Sequence, residues 1–254
     1  MVQDREEIMI VKLPVGSYAR FVGDSFSEEE LQNYMEHVDY FTVASYSELP
    51  KIEGITSINK QCALIFVRAN EEDQILTYRK ITRNEVRRSY RTTEYKVEIN
   101  CTPPDELYSF HMLCEKERQW KPVPPEELLA SLTVCVRYKE ELIAGMSVYS
   151  GNGVLRVGRI FSRRRSDIYH DLPKSMISAA SRMVVHELTR YAVRNNIAML
   201  DLGGIDPDDP SKAGISQFKL LFGSEIRPVW LGRFYGSGYE AINAYANKYD
   251  FDLS

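Results

Sequence analysis

The run Asp201-Leu-Gly-Gly204 places a carboxylate directly before two glycines. Ile197–Leu200, just upstream, is short and fully apolar, the pattern of a buried central strand. Asp201 therefore falls at the C-terminal end of a strand, where open sheets bind ligands. Glycines at such a point let backbone approach a ligand closely, and the strand is expected to stop abruptly there. An acidic, proline-bearing loop over 206–211 follows. A short helix is expected over Ile215–Phe222, closed by Gly223. Lys219 near its start is placed to meet a ligand oxyanion. A plainer reading stays equally open: Asp201 caps a turn, the glycines form it, and Lys219 is solvated.

The segment 71–91 is expected to be predominantly helical. Its cations Arg79, Lys80, Arg83, Arg87, Arg88 and Arg91 enclose a single acid, Glu85. A spacing of four puts Arg79, Arg83, Arg87 and Arg91 near one face, which suits either phosphate tracking or a solvated surface. Glu71, Glu72, Asp73 and Glu94 are close enough in sequence to neutralise part of it. His111 and Cys114 stand three apart on one helix with Cys101 nearby. Zinc sites need four ligands, usually with paired Cys-x2-Cys spacing, so a core histidine beside a buried thiol is the better reading, and no metal is expected. Trp120, in a proline-rich loop, is the better ligand platform of the two tryptophans; Trp230 reads as core. None of the 4 histidines has a recognisable Ser or Cys context. A covalent acyl-enzyme of the triad type is not indicated.

Other elements must position these groups. Ser27 with Glu30 is a capping-box signature for a helix to about His37. Tyr40–Ala44, Cys62–Val67 and Tyr95–Asn100 read as strands, and Pro103-Pro104-Asp105 starts a helix to about Arg118. A helical turn is expected over Glu126–Leu129. Leu132–Tyr138, Leu142–Ser150 and Val154–Phe161 form an antiparallel meander, the second joint being the hairpin signal Gly151-Asn152-Gly153. Pro173 starts a helix to about Arg194. Arg227–Tyr235 returns as a strand and Gly238–Tyr249 as a closing helix. The order from residue 132 onward, β-β-β-α-β-α-β-α, gives an α+β mixed sheet with antiparallel and parallel portions, flanked by helices. No linker separates two independent domains. Residues 1–60, with an apolar run Ile8–Leu13, are expected to form an extension packed on a main unit spanning 61–254.

The chain has 254 residues, 44% hydrophobic and 11% aromatic, enough to fill a core and too much for disorder. It carries no run of the roughly 18 apolar residues a membrane span needs. A net charge of −4 argues against a general nucleic-acid coat or a polybasic membrane binder. Cys62, Cys101, Cys114 and Cys135 lie far apart, and Met-Val-Gln-Asp-Arg-Glu-Glu resembles no secretory leader. Reduced thiols in a cytoplasmic protein are the expectation.

The pair Asp201-Leu-Gly-Gly204 and Gln217-Phe-Lys-Leu-Leu-Phe-Gly223 resembles the DLGG and FKxxFG signature of FemAB/FemX-like acyltransferases. Upstream, Cys62–Arg68 and Thr82–Arg91 resemble that family's strand, helix and R-x-x-I-R/K segment, so the likeness runs over about residues 62–235. It implies a GNAT-like fold and acyl transfer to an amine. Lys219 matches the signature lysine, a candidate for stabilising developing negative charge. Asp201 would orient or deprotonate the nucleophile, or fix the glycine turn. Phe218 would wall the acyl site, Gly203 and Gly204 would approach the ligand, and Arg83 and Arg87 would line the cleft. Two-unit members act on aminoacyl-tRNA and peptidoglycan precursors, whereas this length holds one unit with a partial extension.

GNAT enzymes that use CoA cradle its pyrophosphate on a glycine-rich loop at a helix N-terminus. The corresponding stretch here has no glycine between Arg159 and Leu202, but Arg163, Arg164 and Arg165 supply charge. Three functions result. One is N-acyl transfer, by direct attack, from acyl-CoA or an acyl carrier protein to a small-molecule amine such as an amino sugar or amino acid. Another is aminoacyl-tRNA-dependent transfer to a cell-wall precursor. The third is a binding module without turnover. A homodimer is compatible with each.

Overall fold

The structure, a computed structural model, describes residues 9–163, 172–210 and 212–253. The first elements are β1 (Met9–Leu13), β2 (Gly16–Gly23), α1 (Glu28–His37), β3 (Tyr40–Ser45) and β4 (Ile55–Phe66). Next come α2 (Glu71–Leu76), α3 (Lys80–Ser89), β5 (Tyr95–Ile99), α4 (Pro104–Arg118) and α5 (Pro125–Ala130). The remainder is β6 (Leu132–Tyr138), β7 (Glu141–Gly151), β8 (Val154–Ser162), α6 (Lys174–Arg194), β9 (Met199–Gly204), α7 (Ala213–Leu220), β10 (Glu225–Tyr235) and α8 (Tyr239–Tyr249). All strands join one ten-stranded sheet in the order β1-β2-β3-β10-β4-β9-β8-β7-β6-β5. Two neighbouring pairs, β2/β3 and β8/β9, are parallel, and the rest are antiparallel. This is the α+β mixed sheet with flanking helices that the element order predicts.

Strand periodicity divides the sheet's two faces. In β6, Val134 and Val136 face α6, joining Val184, Leu188, Leu155 and Leu200 in the largest core. Cys135 points the opposite way, into a second core with Leu107, Phe110, Cys114 and Leu128 from α4 and α5. His111 is fully buried there, accepts a 3.2 Å hydrogen bond from Val123 N through Nε2, and burial pushes its pKa down to about 4. It is a neutral core histidine.

Three sequence expectations are corrected. The helix over 71–91 is broken: Thr77–Arg79 separates α2 from α3. No proline or glycine interrupts it. Tyr78 instead turns inward to Thr189 (2.5 Å) and His186 (3.2 Å), and Arg79 N donates to Leu221 O. Arg79 thus precedes α3 rather than sharing a helical face with Arg83 and Arg87. Second, the strand predicted from Cys62 begins at Ile55, because β10 pairs with β4 along Ile55–Leu64. Third, β9 does not stop at Asp201 but runs to Gly204, held by β4. The apolar run ending at Leu13 becomes β1, and β1–β3 continue the same sheet.

Candidate functional site where two parallel strands part

β8 and β9 pair only through Val154–Met199, Leu155–Leu200 and Arg156–Asp201. Beyond that pair β8 follows β7 to Ser162, while β9 follows β4. Register shifts flank the split, between Ser147 and Val148 in β7 and between Cys62 and Leu64 in β4. Two parallel strands that lose their shared ladder diverge at their C-terminal ends, where ligands of open sheets bind.

Asp201 sits at the apex with 0% exposure. Its Oδ1 accepts from Gly203 N at 2.6 Å, while Oδ2 accepts from Tyr46 Oη at 2.9 Å and from an Arg156 guanidinium nitrogen. A buried carboxylate is tolerated only when paired and hydrogen-bonded, and here both oxygens are occupied. Burial alone disfavours the Arg156 charge, but the adjacent Asp201 more than offsets this and holds the guanidinium protonated. Burial, reinforced by Asp201, likewise keeps the Tyr46 phenol neutral. Cys62, also at 0% exposure, places its Sγ 4.0 Å from Arg156, and burial raises its thiol pKa.

The bulge in β9 gives Gly203 a φ of +82°, a conformation that favours glycine. A Cβ there would also lie 3.5 Å from Lys219 Nζ. Lys219 projects from α7, is 8% exposed, and donates to Gly204 O at 2.7 Å. Burial lowers its pKa from 10.5 to about 8, and Asp201 only partly compensates. A lysine in this state still carries its charge at neutral pH, in surroundings where that charge is poorly screened. The backbone around Gly203 and Gly204 lies alongside it, and Gly204 is exposed.

α7 is anchored from behind. Phe222 stacks edge-on against Tyr78 at 5.3 Å and against Phe218 at 5.3 Å. Gly223, at φ +71°, comes so near Thr77 that an added Cβ would lie 2.5 Å from the Thr77 carbonyl oxygen.

The structure thus gathers Asp201, Gly203, Gly204 and Lys219, with Phe218 half-buried one residue from the lysine. It places other sequence candidates elsewhere. Arg83 donates to Leu76 O beside its own helix, and Arg87 is exposed on α3. Trp120 packs under the Arg118 guanidinium, 5.3 Å from its ring centroid. Arg163 directly follows β8, buried, with Nε 3.9 Å from Glu117. Arg164 and Arg165 lie outside the described residues. Tyr46, Arg156 and Cys62 were missed by sequence reasoning. Arg156 carried a readable signal, since an arginine inside Val154-Leu155-Arg156-Val157 needs a buried partner.

This split α+β sheet with its flanking helices recurs in solved structures. Among solved structures, FemX matches with a TM-score of 0.57 at 10% identity, covering 92% of this chain and 85% of that one. L-PGS from Bacillus licheniformis matches at 0.51 and 12% identity, with 95% and 84% covered. The C-terminal domain (DUF2156) of a "putative lysylphosphatidylglycerol synthetase" from Agrobacterium fabrum matches at 0.53 and 12% identity, with 94% and 84% covered. At these identities the likeness is one of fold. No protein-family model matches the sequence, and no curated protein does. Among the described residues, no group of three or more His, Cys, Asp or Glu side chains is placed to hold a metal, and no helix is long and apolar enough to cross a membrane.

Proposed function

We propose that this chain is an N-acyltransferase. It moves an acyl group from a thioester, on CoA or an acyl carrier protein, to the amine of a small molecule such as an amino sugar or amino acid. The observation carrying this reading is the buried Lys219 ammonium, held beside the Gly203–Gly204 strand end where β8 and β9 separate. In direct attack, the amine nitrogen bonds to the thioester carbonyl carbon and the C–S bond breaks. The thiolate leaves and takes up a proton, and the amine nitrogen loses one. Lys219 is suited to stabilising the oxyanion of the tetrahedral intermediate. Asp201 accepts three hydrogen bonds and is tied to Arg156, so its part is to fix the Gly203 backbone rather than to move the proton.

The test is thiol release from a panel of acyl-CoAs and acyl-loaded carrier protein with amine acceptors, comparing wild type with Lys219→Ala. Loss of about 10²–10³-fold in kcat is expected for removal of an oxyanion-stabilising group. Wild-type turnover in the variant overturns the lysine's role, and absence of thiol release from every donor overturns the reading.

A further inference from the structure

The cations of α3 remain unexplained by the site. Thr82, Val86 and Ser89 bury one side of α3. The opposite, solvent face carries Lys80, Ile81, Arg87 and Arg88, and exposed Arg91 follows in the turn after the helix. Three of the acids near in sequence are engaged by cations elsewhere. Glu85 pairs with Arg182 at 2.9 Å, Glu71 with Arg190 and Arg194 at 2.7 Å, and Glu94 with Lys139. Three large apolar side chains stand exposed among the cations: Leu76 at 56%, Ile81 at 61% and Tyr90 at 42%. Such a mixture of aromatic and aliphatic anchors with arginines is the composition of a protein-binding surface.

Its location ties it to the site. Arg79 N, just before α3, donates 2.9 Å to Leu221 O, two residues beyond Lys219. Thr77 is the residue against which Gly223 closes α7.

We infer that the α2–α3 face docks a small acidic protein that carries the acyl group as a thioester, so that the donor is presented by a carrier protein rather than by free CoA. This rests on the acyl-transfer reading above. Charge complementarity selects an acidic partner. The apolar anchors select a protein over a phosphate backbone, which would leave Ile81 and Leu76 without a mate. The helix spans only about 15 Å along its axis, matching a partner helix better than an RNA track.

The experiment measures binding of a bacterial acyl carrier protein bearing its phosphopantetheine arm to the full chain by fluorescence anisotropy. Micromolar affinity is expected, weakened by about tenfold or more between 50 and 300 mM salt. Arg88→Glu/Arg91→Glu and Ile81→Asp should each weaken it similarly with an unchanged melting temperature, because all three side chains are exposed. No binding, or binding indifferent to these variants and to salt, overturns the inference. Variant-sensitive binding of bulk charged tRNA without carrier binding overturns it in favour of RNA. Lys219→Ala separates the two readings. Acyl-CoA turnover that needs Lys219 but no carrier binding leaves the acyl-transfer reading standing alone. Patch-dependent carrier binding with no thioester consumed leaves docking standing alone.

Discussion

Replacing Lys219 by Met should make the protein more stable while removing activity. The ammonium is buried, and burial lowers its pKa from 10.5 to about 8. That difference of about 2.5 pH units, at roughly 1.4 kcal/mol each, amounts to about 3 kcal/mol of folding free energy lost at neutral pH. Methionine has similar length and no charge, so the cost disappears. The variant forfeits the hydrogen bond to Gly204 O, worth about 1 kcal/mol, and that exposed residue can turn to water instead. A net gain of about 2 kcal/mol should raise Tm by roughly 4–8 °C in a chain of this size. The pH dependence supplies an independent check. Below about pH 8 both folded and unfolded chains hold the lysine proton, and the cost is fully present. Between about 8 and 10.5 the unfolded chain keeps a proton the folded one has released, so wild-type stability rises with pH. Urea denaturation at pH 7 and pH 9.5 should show that rise in wild type and its absence in Lys219→Met. A variant less stable than wild type at pH 7, or one retaining the rise, refutes the reasoning.

Three further outcomes follow from the same geometry. Acyl-transfer rate should fall as pH rises through about 8, where Lys219 loses its charge; a kcat profile flat to pH 10 contradicts this. Arg156→Met strands the fully buried Asp201 without its cation and should cost about 3–5 kcal/mol in denaturant unfolding, a penalty that Arg156→Lys should partly spare. Gly223→Ala places a methyl group against Thr77 O at φ +71° and should cost about 1–3 kcal/mol. It should also lower turnover by displacing α7, as unfolding curves and rates on one preparation will show.

Local rules made part of this molecule legible. The Ser27–Glu30 capping box forms as read, because its two hydrogen bonds involve only residues three apart. The β6–β7–β8 meander and the helix after Pro173 follow from alternation, turn chemistry and period alone. What escaped was set at long range. The Thr77–Arg79 break exists because Tyr78 finds Thr189 and His186 on α6, over 100 residues away, and no local residue marks it. The extension of β9 past Asp201 depends on β4, and the bulge at Gly203 satisfies a carboxylate whose other partners are Tyr46 and Arg156. The signature residues Asp201 and Lys219 were visible in the sequence. The groups that hold the carboxylate in place come from β8 and from the segment after β3, which sequence proximity does not connect.

The position of β10 has a consequence for how the molecule is made. This strand lies between β3 and β4, pairing antiparallel with both. During synthesis those two strands emerge early, yet the strand that joins them follows only after some 160 further residues. Until then each exposes an open edge, and such edges invite pairing with other chains. Tyr46 directly follows β3, so the Asp201 carboxylate gains that phenol only once the late strand is in place. Assembly of the site is therefore a late event in folding, set by a long loop closure. A nascent chain halted before residue 225 would present two unsealed strands and no completed site.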